Sequence, residues 1–332
     1  SLAVDAILRE KQRVMISNPN ITPLQFLSLY QNLTAHYSAS ENSPIYTYYG
    51  IKLKRYYINY RGLSTEDILD KIEENKEDGL TDAEKKENRK LKRRIPIAQK
   101  TANITKLISR LRRGKARDVK FAINEVRYGK GLPEDYEIFL DAAIAAGLCS
   151  VGKGNPPTQQ SIQAFLDKSR IGIDCSGYAS AFFAARGDIR ESSKGDITRI
   201  GAAGWGSRRG NKQITRINDI RMGDCLVVVK SNGKLLRSPG HIMLANGPGR
   251  ADVRNTMEFK PLDIYSDEGG ESMGESNGSV YICESRGEGL SRGPATFRAG
   301  YPSKKRPYFQ IRRHGRPKWL NCIVVRPDFK KG

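Results

Sequence analysis

The residue pattern of this chain changes from helical periodicity to short apolar runs about halfway along, and that order constrains the fold. Apolar residues at helical spacing predict helices over 99–113, 133–147 and 159–168. Further on, the runs 221–229 and 241–247 are short, apolar and bounded by turn residues, as strands are. The sequence therefore predicts an α+β protein, mainly helical at first and carrying an antiparallel sheet later.

A stretch rich in glycine and proline lies between these two parts. Residues 152–157, GKGNPP, interrupt both helices and strands. A chain of 332 residues is also long for a single hydrophobic core. We therefore predict a boundary near residue 150, with a mainly helical region of unknown role over 1–150 and a second domain over 151–332.

Local signals in the first 150 residues indicate helices and one hairpin. Thr22 followed by Pro23 marks a helix start. Tyrosines crowd residues 37–62, which predicts a strand or hairpin. Two charged helices are expected between 64 and 94, joined near Gly79.

Two segments of this region also have the composition of a nucleic-acid surface. One is the basic run 85–94, and the other is the tyrosine- and lysine-bearing segment 46–60. We favour a solvated helix face for the first and a packed hairpin for the second. Nucleic acid is therefore the less favoured partner.

The charge of the chain is strongly positive. Lysine and arginine outnumber aspartate and glutamate by 57 to 36, a net charge of +21 at pH 7. Such a field attracts anionic partners, among them nucleic acid, acidic lipid and a polyanionic cell wall. No apolar run of about 18 residues predicts a membrane span, and the opening SLAVDAILREKQRV is amphipathic rather than like a signal peptide.

The cysteines point to one reactive thiol. They are five in number and include no Cys-x-x-Cys pair, so neither a zinc site nor a closed set of disulfides is predicted. Cys175 stands at a predicted helix start, in Asp174-Cys175-Ser176-Gly177. The helix dipole and the N–H groups there stabilise a thiolate and can form an oxyanion hole. The remaining cysteines lie among apolar residues and are expected in the core: Cys149, Cys225, Cys283 and Cys322.

A cysteine nucleophile needs a base on a rigid neighbouring element. His241 heads the predicted strand 241–247 and is the candidate. The next predicted strand, 280–290, carries Glu284 toward its end. A polar side chain there would bind the imidazole nitrogen that faces away from the thiol and fix its tautomer, with Cys283 and Ser285 as neighbouring alternatives.

These motifs, in this order, resemble the NlpC-like cysteine peptidases of the papain fold, many of which cut peptide stems in bacterial peptidoglycan. The likeness covers about residues 155–330. Asp174-Cys175-Ser176-Gly177 corresponds to the cysteine motif of the family, Met222-Gly223-Asp224 to its strand-opening glycine-aspartate, and Gly240-His241-Ile242 to its histidine motif. The third polar residue of the family is often a histidine, whereas Glu284 stands here.

The resemblance implies a papain-like domain in which a helix bearing Cys175 packs on an antiparallel sheet bearing His241 and Glu284. It also implies that Asp174 and Ser176 help to hold the substrate. No metal or organic cofactor is expected.

The implied activity is hydrolysis of an amide bond by thiolate attack. The resemblance favours peptidoglycan stem peptides, hence a cell-wall hydrolase, lysin or antibacterial toxin that is secreted or delivered to the bacterial envelope or a target cell. A delivered toxin acting on a host protein or lipid, as protease, deamidase or acyltransferase, is a second hypothesis. A third is a catalytically vestigial protein that binds cell wall or nucleic acid.

Several other residues have simpler predicted roles. Trp205 lies either in a substrate groove or in the core. Asp224, after a glycine, is expected to be a turn residue, and His36 and His314 are expected on the surface. The long insertion 249–279 between two strands is expected to cover the active-site groove.

Overall fold

The chain combines helices with antiparallel strands, in agreement with the predicted α+β class. The computed structural model describes residues 17–56, 60, 62–75, 81–84, 86–87, 95–114, 116–152, 155–189, 200–237, 240–251, 278–287, 289–299 and 309–329. Contacts divide the chain into two units. We call Ser28–Ile173 the middle unit, and Ser1–Leu27 with Asp174–Gly332 the barrel unit.

The middle unit is built around one buried helix. Its elements are the end of helix α1 (Pro23–Tyr30), strands β1 (Leu33–Tyr37) and β2 (Tyr46–Ile51), and helices α2 (Thr65–Asn75), α3 (Ile97–Leu111), α4 (Val119–Arg127), α5 (Pro133–Ala145) and α6 (Gln159–Lys168). Helix α5 is buried along almost its whole length and contacts β1, α2, α3 and α4. The region predicted as mainly helical thus contains a hairpin of two antiparallel strands among its helices.

Acidic side chains of α5 bind the edge of the hairpin. Glu137 accepts the backbone N–H of Thr34 at 2.8 Å, and Asp141 accepts that of His36 at 2.6 Å. The His36 ring also places Nδ1 3.1 Å from an Asp141 oxygen. The expectation that His36 is a simple surface residue was wrong, because a strand edge needs acceptors and the buried Asp141 supplies them to both the backbone and the ring of His36.

Helix α6 belongs with the hairpin of the middle unit. The Gln163 side chain accepts the N–H of Lys52 at 2.9 Å and donates to its carbonyl at 3.0 Å. Tyr48 Oη donates to the carbonyl of Pro157 at 2.6 Å. The compact units accordingly divide at 27/28 and 173/174, whereas the sequence places a boundary near residue 150.

The barrel unit contains six antiparallel strands that close on themselves. They are β4 (Cys225–Val228), β5 (Ile242–Ala245), β7 (Gly278–Arg286), β8 (Gly289–Ala299), β9 (Phe309–Arg313) and β10 (Leu320–Arg326). Each pairs with the next, and β10 pairs with both β9 and β4. Strand β3 (Lys212–Ile214) pairs with β10 and β6 (Arg250–Ala251) with β7. Closure of the sheet is a feature that the sequence did not predict.

Alternate side chains of the barrel strands fill its interior, because successive residues of a strand point to opposite faces. The buried cluster inside includes Leu226, Val228, Met243, Ala245, Val280, Ile282, Phe297, Phe309, Ile311 and Val324. Helix α7 (Cys175–Arg186) packs on β5 and β7, and the short helix α8 (Ala202–Ser207) packs on β4. A helix bearing Cys175 therefore lies against the antiparallel sheet. No helix in the described part of the chain is long and apolar enough to cross a membrane.

The turn into β4 is held by an ion pair. Gly223, at φ 84°, donates its N–H to the carbonyl of Ala245, and Asp224 accepts the N–H of Arg221 at 2.8 Å. Arg326 on β10 binds both oxygens of Asp224, at 2.7 and 2.8 Å. Asp224 is 1% exposed and ties the turn to the neighbouring strand, which confirms its prediction as a turn residue.

Replacing Asp224 by alanine should destabilise the barrel unit. The change removes a buried partner of Arg326 and of a backbone N–H, and we expect the free energy of unfolding to fall by about 3 kcal/mol. That figure is the lower end of the range for broken buried pairs, because Arg326 remains partly exposed to water. Denaturant titration measures it, with Lys212→Ala, a change at an exposed residue of β3, as a control expected to change stability by at most about 0.5 kcal/mol. Equal effects of the two changes would contradict the assigned role.

Candidate active site

Cys175 is the first residue of helix α7, and the residues beside it organise the helix start. Asp174 is the N-cap, with extended backbone, and its side chain accepts the N–H of Gly177. Ser176 Oγ donates to the same carboxylate at 3.0 Å. This capping fixes the helix start, so that the dipole of the helix favours negative charge at the cysteine sulfur.

His241 precedes β5, the strand on which α7 packs. Its imidazole hydrogen-bonds the Cys175 side chain, and the N–H of Ile242 also interacts with the sulfur. Cys175 Sγ lies 3.9 Å from the carbonyl oxygen of Gly240. The three residues of the histidine motif, Gly240, His241 and Ile242, therefore all contact the sulfur of Cys175, one through its side chain and two through their backbone.

Glu284 binds the other side of the imidazole. Its Oε2 lies 2.6 Å from His241 Nε2, and the residue is only 1% exposed. The register of the strands explains the contact, because Glu284 pairs with Met243, two residues after the histidine. With Nε2 bound to the carboxylate, Nδ1 is the ring nitrogen that faces the thiol. Glu284, rather than Cys283 or Ser285, is the residue that the structure brings to the histidine.

Two arginines surround the carboxylate of Glu284. Arg313 on β9 donates through Nη2 to Oε2 at 2.6 Å and through Nε to Oε1. Arg286, on the same strand as Glu284, has its Nε 3.5 Å from Oε1. The sequence prediction missed both. A signal for Arg313 exists, because Phe309 and Ile311 alternate with it and face the interior, and an inward-facing charge requires a buried partner.

The ionisation of these groups is coupled. Burial alone raises the pKa of the Cys175 thiol, but the hydrogen bond and positive charge of His241 outweigh it and hold this pKa below the usual 9.0. Burial lowers the pKa of His241, yet its bonds to Cys175 and Glu284 raise it to about 9. For Glu284, burial raises the pKa, and the bonds from His241 and Arg313 more than offset this and lower it. The arrangement thus favours a thiolate beside an imidazolium.

The other cysteines are buried, as predicted, and none of the five is in a disulfide. Burial raises the pKa of Cys149 to about 12 and that of Cys283 to about 12. It raises the pKa of Cys225 and of Cys322 as well. Cys175 is the cysteine whose pKa is lowered.

The other residues singled out in the sequence lie in the core, at the start of helix α7 or on the surface. Trp205 is 0% exposed, donates through Nε1 to Ser180 Oγ at 3.1 Å and packs on Phe183, so it is a core residue and does not line a groove. Asp174 and Ser176 bond each other at the helix start, and substrate binding by them stays a prediction. His314 is exposed, as expected. Of the insertion 249–279, residues 252–277 lie outside the described residues.

Comparisons with known proteins leave the function to be inferred from the site. No protein-family model matches the chain, and neither the curated proteins nor the solved structures give a significant match. Among the described residues, no group of three or more histidine, cysteine, aspartate or glutamate side chains is placed to hold a metal ion. The site places a thiol at a helix start, an imidazole bonded to it and a carboxylate behind the imidazole. Covalent acyl-transfer catalysts use groups of these types in this order.

Iodoacetamide should alkylate Cys175 selectively in the native protein at pH 7. Only this thiol has a lowered pKa. The rate of Cys175 alkylation should therefore rise with pH through a pKa below 9.0, at lower pH than the alkylation rate of an ordinary thiol. Above about pH 9 His241 loses its proton, and the sulfur then reacts as a lone thiolate. Peptide mapping by mass spectrometry identifies the modified cysteine, and the denatured protein, in which all five should react, is the control. Alkylation of Cys225 or Cys283 before Cys175 would contradict the assignment of Cys175 as the reactive thiol.

Proposed function

We propose that this protein is a cysteine hydrolase in which Cys175 is the nucleophile and His241 the acid–base group. One observation carries the proposal: a single imidazole bonds the Cys175 side chain at a helix start and, through Nε2, a buried carboxylate at 2.6 Å. A thiol, an imidazole and a buried carboxylate in this order are the nucleophile, the base and the orienting group that covalent acyl transfer requires.

The proposed reaction is acyl transfer in two stages. The Cys175 thiolate attacks the carbonyl carbon of an amide, and the negative charge that develops on its oxygen is stabilised by the start of helix α7. The imidazolium of His241 gives its proton to the leaving amine, and the C–N bond breaks to leave a thioester. His241 then takes a proton from water, and the water oxygen attacks the carbonyl carbon of the thioester. The C–S bond breaks, which releases the acid and restores the thiolate of Cys175 beside the imidazolium of His241.

Peptidoglycan stem peptides are the proposed substrate. The proposal is supported by the resemblance of the cysteine, glycine-aspartate and histidine motifs to NlpC-like peptidases of the papain fold. The net charge of +21 suits a wall rich in carboxylates and phosphates. A toxin that acts on a host protein or lipid would use the same pair of residues, so product analysis must distinguish the two.

Cys175→Ala should abolish hydrolysis and leave the fold intact, because the residue is small and its role is chemical. The test is mass spectrometry of defined muropeptides incubated with wild type and variant, with a protein and a phospholipid substrate in parallel. Cys149→Ala is the matched control, since Cys149 is a buried thiol of raised pKa and its loss should preserve activity. Activity above a few per cent in Cys175→Ala would reject the nucleophile, and cleavage only of the protein or lipid would reject the substrate.

A basic surface on the barrel suits an anionic partner. Residues 289–299 and 309–326 contain no acidic residue, and their bases include Arg292, Arg298, Arg312, Arg316 and Lys318. The guanidinium carbon of Arg298 lies 4.0 Å and that of Arg312 4.8 Å from the centroid of the Trp319 ring. Stacking on an aromatic ring holds guanidinium groups in place, and their fork of donors fits carboxylate and phosphate oxygens.

Binding to insoluble peptidoglycan should weaken steeply as salt rises, because exposed charges are screened over about 8 Å at physiological ionic strength. Replacing Arg298 and Arg312 together by glutamine should reduce binding at low salt and flatten its salt dependence. The control, Lys230→Gln with Lys234→Gln, removes the same charge from exposed positions of another hairpin. Pull-down at several sodium chloride concentrations measures both. Equal losses in the two double variants would assign the attraction to net charge and not to this surface.

A further inference from the structure

The carboxylate that binds His241 is itself held by an arginine on another strand of the barrel. Arg313, on β9, contacts both oxygens of Glu284, and its Nη2 lies 2.6 Å from Oε2, the oxygen that also binds His241 Nε2. The Arg313 Nη2 also lies 3.9 Å from Met243 Sδ, inside the barrel. Two fixed donors on one carboxylate leave it little freedom to rotate away from the imidazole.

The charges of the site balance only when Arg313 is counted. A thiolate on Cys175 and a carboxylate on Glu284 are two anions, and the His241 imidazolium is one cation. Glu284 is 1% exposed, so water does little to offset a net negative charge there. Arg313, which is always protonated, supplies the second cation.

The neighbouring ionisable groups do not replace it. Asp174, at the helix start, raises the pKa of Cys175. Arg286 is a cation, but its Nε is 3.5 Å from Glu284 Oε1, beyond the distance of a strong charge-assisted bond. Tyr178 and Cys283 bond each other and stay neutral, because the pKa of each is raised, that of Cys283 to about 12.

We propose that Arg313 is a positioning residue of the active site, which holds Glu284 against His241 and balances the charge of the thiolate–imidazolium pair. This inference rests on the proposed function. It adds a fourth member to the Cys175, His241 and Glu284 set, one that acts through Glu284 and does not touch the substrate.

The test is the rate of Cys175 alkylation by iodoacetamide as a function of pH, alongside turnover. Arg313→Gln should lower the alkylation rate constant at pH 7 roughly tenfold, the size expected when a buried ionised group loses an opposite charge. Its pH profile should move to higher pH. Arg313→Lys keeps the charge but loses the fork of donors, so it should fall between wild type and Arg313→Gln.

Arg326→Gln is the matched control for a purely structural effect. Arg326 binds both oxygens of the buried Asp224 in the same barrel, with the same pair of atoms that Arg313 uses on Glu284. Both glutamine variants should lose stability, but only Arg313→Gln should change the alkylation profile. A similar change of the alkylation profile in Arg326→Gln would overturn the proposal. An equal change in Arg286→Gln would also overturn it, because any nearby positive charge would then have the same effect as Arg313.

A double variant tests whether Arg313 acts through Glu284 and remains informative if Arg313→Gln does not fold. Glu284→Gln removes the carboxylate charge, and Glu284→Gln with Arg313→Gln leaves a neutral pair in its place. If Arg313 acts through Glu284, these two should share one alkylation profile to within about twofold, since coupled residues are not additive. A further tenfold loss in the double variant would overturn the inference. A wild-type Cys175 with an ordinary thiol profile would instead reject the proposed function.

Discussion

Closure of the sheet through β10 is the constraint on which the barrel unit depends. Strand β10 pairs with β9 on one side and β4 on the other, so it joins the two ends of a six-stranded sheet. Without that pairing the strands would present open edges and their interior side chains would face water. Closure also shapes the candidate site, because it encloses Glu284 on β7 and Arg313 on β9 in one interior, where the two side chains bind each other.

Local signals sufficed to predict the three residues that the structure brings together, Cys175, His241 and Glu284, but not their surroundings. Cys175 and His241 lie at the starts of elements whose ends are marked by capping and turn residues, and Glu284 follows from counting along the next strand. Barrel closure and the Arg313 contact depend on pairing between strands far apart in the chain, which no local pattern records. Trp205 shows the same limit, because an aromatic residue among glycines has the same sequence pattern in a groove as in a core.

In the part of the chain that the structure describes, the buried acids are each paired with arginine. In the barrel unit, Asp224 is bound by Arg326 and Glu284 by Arg313. In the middle unit, Arg112 lies 3.1 Å from Glu137 and 3.7 Å from Asp141. Burying an isolated ion costs several kcal/mol, so each acid requires a cation whose protonation does not depend on pH. The paired acids then bind other groups: Glu137 and Asp141 accept hydrogen bonds from a strand edge, and Asp224 accepts one from a turn. Glu284 binds the imidazole of His241.

The lowered pKa of one cysteine follows from what surrounds it and not from exposure. Cys175 is 4% exposed, scarcely more than the other cysteines, and burial acts on all of them to raise the pKa. The difference is a cation beside the sulfur, whose own charge is sustained by the carboxylate of Glu284 behind it. Because the His241 pKa is about 9 and that of Cys175 is lowered, the ion pair exists between the two values. Acid removes it by protonating the thiolate, and base removes it by deprotonating His241, so the ion pair belongs to intermediate pH.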